Sequence, residues 1–318
     1  MESPQRIKSR NRAVKNVGQI TKAMEIVAAT KMRKAQEVAL DSRPYALKTL
    51  ELLEKISTNT PIDHPLLRIR PIRKILVIIM ASDKGLTGAF NTQIIRAANS
   101  FFKSEQERGN QKNNFIVMPI GKKSSTYAMR ESLEIVDQFH GVGDYAYPEE
   151  VAPIANQVIK GFLNGRWERV VSISTSFITA LKQETIVRQI LPIDLNKIKE
   201  TVESIVPEHG RYADTTKEEI RQNLAEAEKN IDYIFEPSPR EALKSLIPHL
   251  VNMQIYHLVL EANASEHSAR RVAMKTASDN ADELSRKLTL IYNKARQSII
   301  TNELIEITST QSALSGNN

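Results

Sequence analysis

The sequence predicts an α+α/β fold: an antiparallel two-helix coiled coil, made by the N- and C-terminal helices, plus a central, mostly parallel α/β domain. Three observations carry this. Glycine is almost confined to the middle of the chain: Gly18 is the only one in the first 84 residues, and none falls between 211 and 315. The two glycine-poor ends have heptad-like apolar spacing. Between them, short apolar runs alternate with helical patterns.

The N-terminal helix comes first. Counting sevens from Ile7 gives Ile7, Val14, Thr21, Ala28 and Ala35, and three residues on lie Arg10, Val17, Met24, Lys31 and Val38. Ala13, Ile20 and Val27 widen the same stripe. Good helix formers continue to about Lys55, with a kink expected near Pro44. In the middle, Lys74–Ala81 and Asn114–Ile120 read as buried strands, Leu133–Phe139 as an edge strand, and Arg169–Ser174 and Thr185–Leu191 as further strands. Ala89–Glu107, Lys122–Glu131 and Pro148–Leu163 read as helices between them. Residues 194–235 are polar, with a helical pattern at 217–231, and read as an inserted connection. Pro237 and Pro239 mark the start of a last helix that reaches Ile307, its interior rich in Ala and Ser. The expected segments are 1–57 (N-terminal helix), 72–193 (α/β domain), 194–236 (connector) and 237–318 (C-terminal helix).

Composition narrows the function. The 318 residues have a 41% hydrophobic content, enough for a packed core. They include no Cys, which excludes disulfides, thiolate metal sites and thiol switches. The longest wholly apolar run, Ile75 to Ala81, is far below the roughly 20 residues that span a bilayer. The polar, basic start lacks the apolar core of a secretory signal, so a cytoplasmic compartment is expected. Of a net charge of +7, +6 lies in residues 1–38, where nine basic side chains meet three acids. A basic helix is a solvated face, a nucleic-acid contact or a contact with an acidic protein surface.

Motifs for chemistry are weak. The loop DKGLTGAFN, Asp83–Asn91, follows a strand and opens a helix, where phosphate loops occur, yet it has neither the GxxxxGK[ST] nor the GxGxxG spacing. It reads as a turn, with Asp83 as a turn or cap residue. The six His show no HExxH spacing, and His257 with Glu261 reads as a surface pair. No catalytic residue, metal ligand or cofactor is expected. An aromatic content of 5% leaves little surface for stacking bases.

If the end helices pair antiparallel with Lys55 level with Arg240, Arg6 is level with about residue 289. The helix beyond that point has no partner in the chain. It still carries Leu290, Ile291, Ile299, Ile300, Leu304, Ile305 and Ile307, each worth about 1.5–3 kcal/mol when buried. Something outside the chain is expected to enclose this tip.

Ile7–Gln36 (IKSRNRAVKNVGQITKAMEIVAATKMRKAQ) resembles the N-terminal helix of the gamma subunits of F-type ATP synthases. Ala264–Ile307 resembles their C-terminal helix, and Ser42–Ala46 (SRPYA) and the Asp83–Asn91 turn match the same family in order. The resemblance implies a rotor shaft without a catalytic site of its own. Its coiled coil would turn inside a ring of three alpha and three beta subunits. Its α/β domain would bind the epsilon subunit and sit on the membrane c-subunit ring. It implies that Met24 and Arg270 lie near the beta lever region, and Arg296, Gln297 and Thr301 near the catch loops. It also implies a peripheral place on the cytoplasmic side of a bacterial inner membrane, reached only through the complex. Two other readings follow from the residues: a basic coiled-coil nucleic-acid-binding protein, and a phosphate-ligand enzyme built on the Asp83 loop.

Overall fold

The structure, a computed structural model, describes residues 3–59, 64–143, 146–179, 181–194, 236 and 238–315. The connector expected at 194–236, apart from Asp194 and Glu236, lies outside the described residues, and so does the helical pattern at 217–231. The chain divides into two compact units, one of residues 1–27 with 271–318 and one of residues 28–270.

Helix α1 spans Pro4–Asn59 and stays helical through Pro44. Proline suits its first position, where a backbone N–H has no helical acceptor. The last helix, α5, spans Pro239–Ser315 and begins at the second of the two expected prolines. Between them lie β1 (Ile75–Met80), α2 (Phe90–Glu107), β2 (Phe115–Ile120), α3 (Lys122–Arg130), β3 (Glu134–Ile135), α4 (Pro148–Leu163), β4 (Arg169–Phe177) and β5 (Gln183–Leu191). The sheet order is β3-β2-β1-β4-β5. β1 pairs in parallel with β2 and β4, β2 pairs in parallel with β3, and β5 returns antiparallel to β4. The expected edge strand is shorter than its pattern: two residues pair, and Phe139 adds one isolated bridge to Ile120.

Every residue of β1 and β2 is buried, as strands covered on both faces require. Ile75, Val77 and Ile79 pack with Phe90, Ile94 and Phe101 of α2 on one face. Leu76, Ile78 and Met80 pack with α4 and with α5 residues such as Leu250, Leu258 and Val259 on the other. The 247–262 part of α5 is therefore a core helix.

That burial corrects the reading of His257 and Glu261 as a surface pair. They are 1% and 4% exposed. Arg188 on β5 donates to the Glu261 carboxylate at 2.9 Å, so a charge carried into the core has its counter-charge on the sheet. Burial pushes the Glu261 carboxyl above its ordinary range, against the opposing pull of Arg188 and Ser176.

Candidate interaction surface

In the unit of residues 1–27 with 271–318, the first half of α1 lies beside the end of α5. The Asn11 amide donates to the Thr289 hydroxyl at 2.9 Å and accepts from the Ser285 hydroxyl at 2.7 Å. A Cβ placed on Gly18 would sit 3.2 Å from the Ala281 Cβ. Moving up α1 from 11 to 18 moves down α5 from 289 and 285 to 281, so the pair is antiparallel. Stepping back seven residues from Asn11 puts Pro4 beside residues 292–296, within a turn or so of the expected register.

The buried line of α1 differs from the expected one. Ile7 and Ala28 are buried and Val14 and Thr21 half-buried, as the first heptad line predicts. The companion line runs four residues on, not three: Asn11, Gly18 and Glu25 face inward, while Arg10 and Val17 are exposed. Ala13, Ile20 and Val27 are exposed instead of widening the core stripe, and Val17 of the expected companion line is 53% exposed. The apolar arc of α1 is broader than one partner helix covers, and α5 takes the side with the small Gly18 and the hydrogen-bonding Asn11. Ile26, also exposed, escaped the sequence reading. The signal that finds it is this excess of apolar arc over the width of one contact.

At the far end of α5, all seven expected overhang residues are exposed, from 42% at Ile299 to 71% at Leu290. Arg296, Gln297 and Thr301 lie on this stretch, all exposed, and the Thr301 hydroxyl donates to the Gln297 carbonyl one turn back. Met24 is half-buried within the same unit. Arg270 belongs to the other unit, where its guanidinium meets Glu266 at 2.5 Å and the His267 ring at 3.2 Å. The structure thus groups Arg296, Gln297 and Thr301 on one stretch. Arg6, Lys8, Arg10, Arg12 and Lys15 are all exposed along the start of α1. Lys275–Asp279 and Lys287–Glu283 pair at one-turn spacing on α5. These bonds raise the Lys275 amine and lower the Glu283 carboxyl.

The Asp83 loop is occupied by structure. Asp83 accepts from the Lys122 N–H at 2.9 Å, at the start of α3, and from the Gly141 N–H at 2.8 Å. Asn91 ties Ser82 to Thr87. The crevice at the carboxyl ends of the parallel strands, where α/β folds bind ligands, holds a cavity of only 40 Å³. Val259, Ala262, Asn263 and Glu266 of α5 line it.

A family model described as ATP synthase matches residues 3–314. The ATP synthase gamma chain of Roseiflexus castenholzii is 39% identical over 99% of both chains. That of Trichlorobacter lovleyi is 36% identical over 99% of this chain and all of its own. Among solved structures, a chain of the Euglena gracilis mitochondrial ATP synthase aligns over 98% of this chain and 94% of its own, with a TM-score of 0.62 at 19% identity, a likeness of fold. With the family model and the curated relatives both matching end to end, this chain belongs to the ATP synthase gamma-chain family.

Proposed function

We propose that this chain is the central rotor shaft of a proton-translocating ATP synthase, a non-catalytic subunit that links proton flow to ATP synthesis and hydrolysis on the beta subunits. The exposed apolar tip of α5 carries the reading. Seven large apolar side chains on one helix end, each worth about 1.5–3 kcal/mol on burial, call for a sleeve outside the chain. A ring of three alpha and three beta subunits is that sleeve. Apolar contact is non-directional, so a tip held this way turns without breaking many hydrogen bonds. In this reading Met24 and Arg270 meet the beta lever region, Arg296, Gln297 and Thr301 meet the catch loops, and the basic start of α1 faces acidic beta segments. Segments 1–57 and 237–318 form the shaft, and 72–193 carries the epsilon subunit and rests on the c-subunit ring. Among the described residues no helix is long and apolar enough to cross a membrane. The chain then sits peripherally on the cytoplasmic face of a bacterial inner membrane, held by the complex.

Reconstitution with purified alpha and beta subunits tests this. Co-assembly with a gain in ATPase activity is expected. Failure to co-assemble, or assembly at the unchanged activity of the ring alone, refutes it.

A further inference from the structure

The face of α5 turned to β4 and β5 is polar although it is buried. Gln254, His257, Glu261, Ser265 and Ser268 recur at spacings of three and four, so they share one side of the helix, and none is more than 5% exposed. Opposite them β4 presents Ser172, Ser174 and Ser176, alternate residues of one strand face, also buried. Several bonds cross the interface, among them one between Ser176 and the Glu261 carboxyl. Arg188 on β5 donates to Glu261 at 2.9 Å, Gln183 on β5 donates to the Ser268 hydroxyl at 3.1 Å, and the Ser265 hydroxyl donates to the Thr175 carbonyl at 3.3 Å. Ile255, Leu258, Val259 and Ala262 on this stretch of α5 belong to the apolar core formed with β1, β2 and α4.

The two kinds of contact constrain the helix differently. Apolar packing tolerates substitution of one similar side chain for another, and α5 offers Leu250, Val251, Ile255, Leu258, Val259 and Leu260 in close succession. A slide of one turn, about 5.4 Å, would put one such residue where another had been. The polar face tolerates no such slide, because a displaced Glu261 would leave its charge and that of Arg188 buried apart.

We propose that the Arg188–Glu261 pair, helped by Gln183–Ser268, is a registry pin that fixes the axial position and rotational phase of α5 on the sheet, rather than a source of stability. Arg188 and Glu261 are positioning residues: they set where the exposed side of α5 within residues 239–270 points. This inference concerns residues 28–270 alone and stands whether or not the rotor reading holds.

The chain has no Cys, so two introduced cysteines are its only labelling sites. Spin labels at Ser100→Cys on α2 and Ser245→Cys on α5, both exposed positions, report the helix–sheet distance in the full-length chain. The unmodified seam is expected to give one narrow distance. Arg188→Leu combined with Glu261→Leu is expected to melt at or above the parent temperature while the distance broadens or splits. A narrow, unshifted distance in that variant overturns the proposal. So does a variant that fails to fold, since the pair's role would then be stability. Each single leucine variant is expected to melt lower than the double, because it strands one buried charge; a single variant as stable as the double would show that the two side chains are not acting as a pair.

Discussion

Gly161 on α4 has room for a hydrogen and nothing larger: a Cβ there would lie 1.9 Å from the Trp167 ring. The indole is fully buried and donates to the Val158 carbonyl at 3.2 Å, so it has nowhere to retreat. Gly161→Ala gains about 1 kcal/mol of helix propensity. The overpacking costs about 1–3 kcal/mol or more, and the net is expected to be a loss of stability. Urea unfolding measures it, and a variant as stable as the parent would contradict the packing. Tyr127 gives a pH dependence. It is buried, its hydroxyl donates to Asn99 at 2.5 Å, and its pKa is raised from 10.0 to about 12, chiefly by burial and then by the nearby Glu131. An acid whose folded value is raised favours the neutral form in the folded state. Its stabilising effect is therefore complete below pH 10 and lost as the pH rises through 12. Tyr127→Phe is expected to cost about 1 kcal/mol at neutral pH through the lost hydrogen bond. It should also flatten the fall in stability between pH 10 and 12, as measured by unfolding across that range. An unchanged slope would assign the alkaline loss to other groups.

The pairing of α1 with α5 shows how far a heptad count reaches. Counting from Ile7 placed one line of the contact, and the register supposed by setting antiparallel helices with Lys55 level with Arg240 came within a turn or so of the pairing of Asn11 with Ser285 and Thr289. The second line was not legible, because its members Asn11, Gly18 and Glu25 are not apolar, whereas Val17 one position away is. Two substitutions separate the alternatives. Gly18→Leu is expected to force the helices apart at the Ala281 contact and cost about 1–3 kcal/mol. Val17→Ser, on the exposed side, is expected to change the stability of the isolated chain by less than about 0.5 kcal/mol. Thermal unfolding followed by helical circular dichroism compares them, and the reverse order of effects would restore the line three residues on. In the α/β body the strands were legible because burial on both faces leaves continuous apolar runs such as Ile75–Met80. The antiparallel return of β5 was not, since its residues are largely half-exposed and carry no mark of direction. Nor was the buried Glu261: a carboxylate reads as surface until Arg188, 73 residues away, is seen beside it. Polar pairs across long sequence separations leave no periodicity to count.

On the scale of the whole molecule, the exposed apolar residues at the end of α5 matter most for the rotor reading. A shaft biases the sites around it only through contacts that differ between its angular positions, since a contact of equal strength at every angle shifts no equilibrium. The apolar tip supplies the uniform part: it holds the helix in its sleeve without favouring an angle. Directional side chains would supply the differences, and Gln297, exposed near the end of α5, is the one we propose. Gln297→Ala leaves the helix at least as favourable, because alanine is the best helix former and the Thr301 hydroxyl bonds the residue 297 backbone rather than its side chain. Assembly is therefore expected to stay near that of the parent. If the amide makes one angle-dependent hydrogen bond, worth about 0.5–1.5 kcal/mol, coupled ATP synthesis in the assembled complex is expected to fall roughly 2- to 10-fold. The measurement is proton-driven synthesis per assembled complex, beside the yield of assembled complex. Equal loss in both would make Gln297 an assembly residue, and normal synthesis would remove it from the coupling contacts.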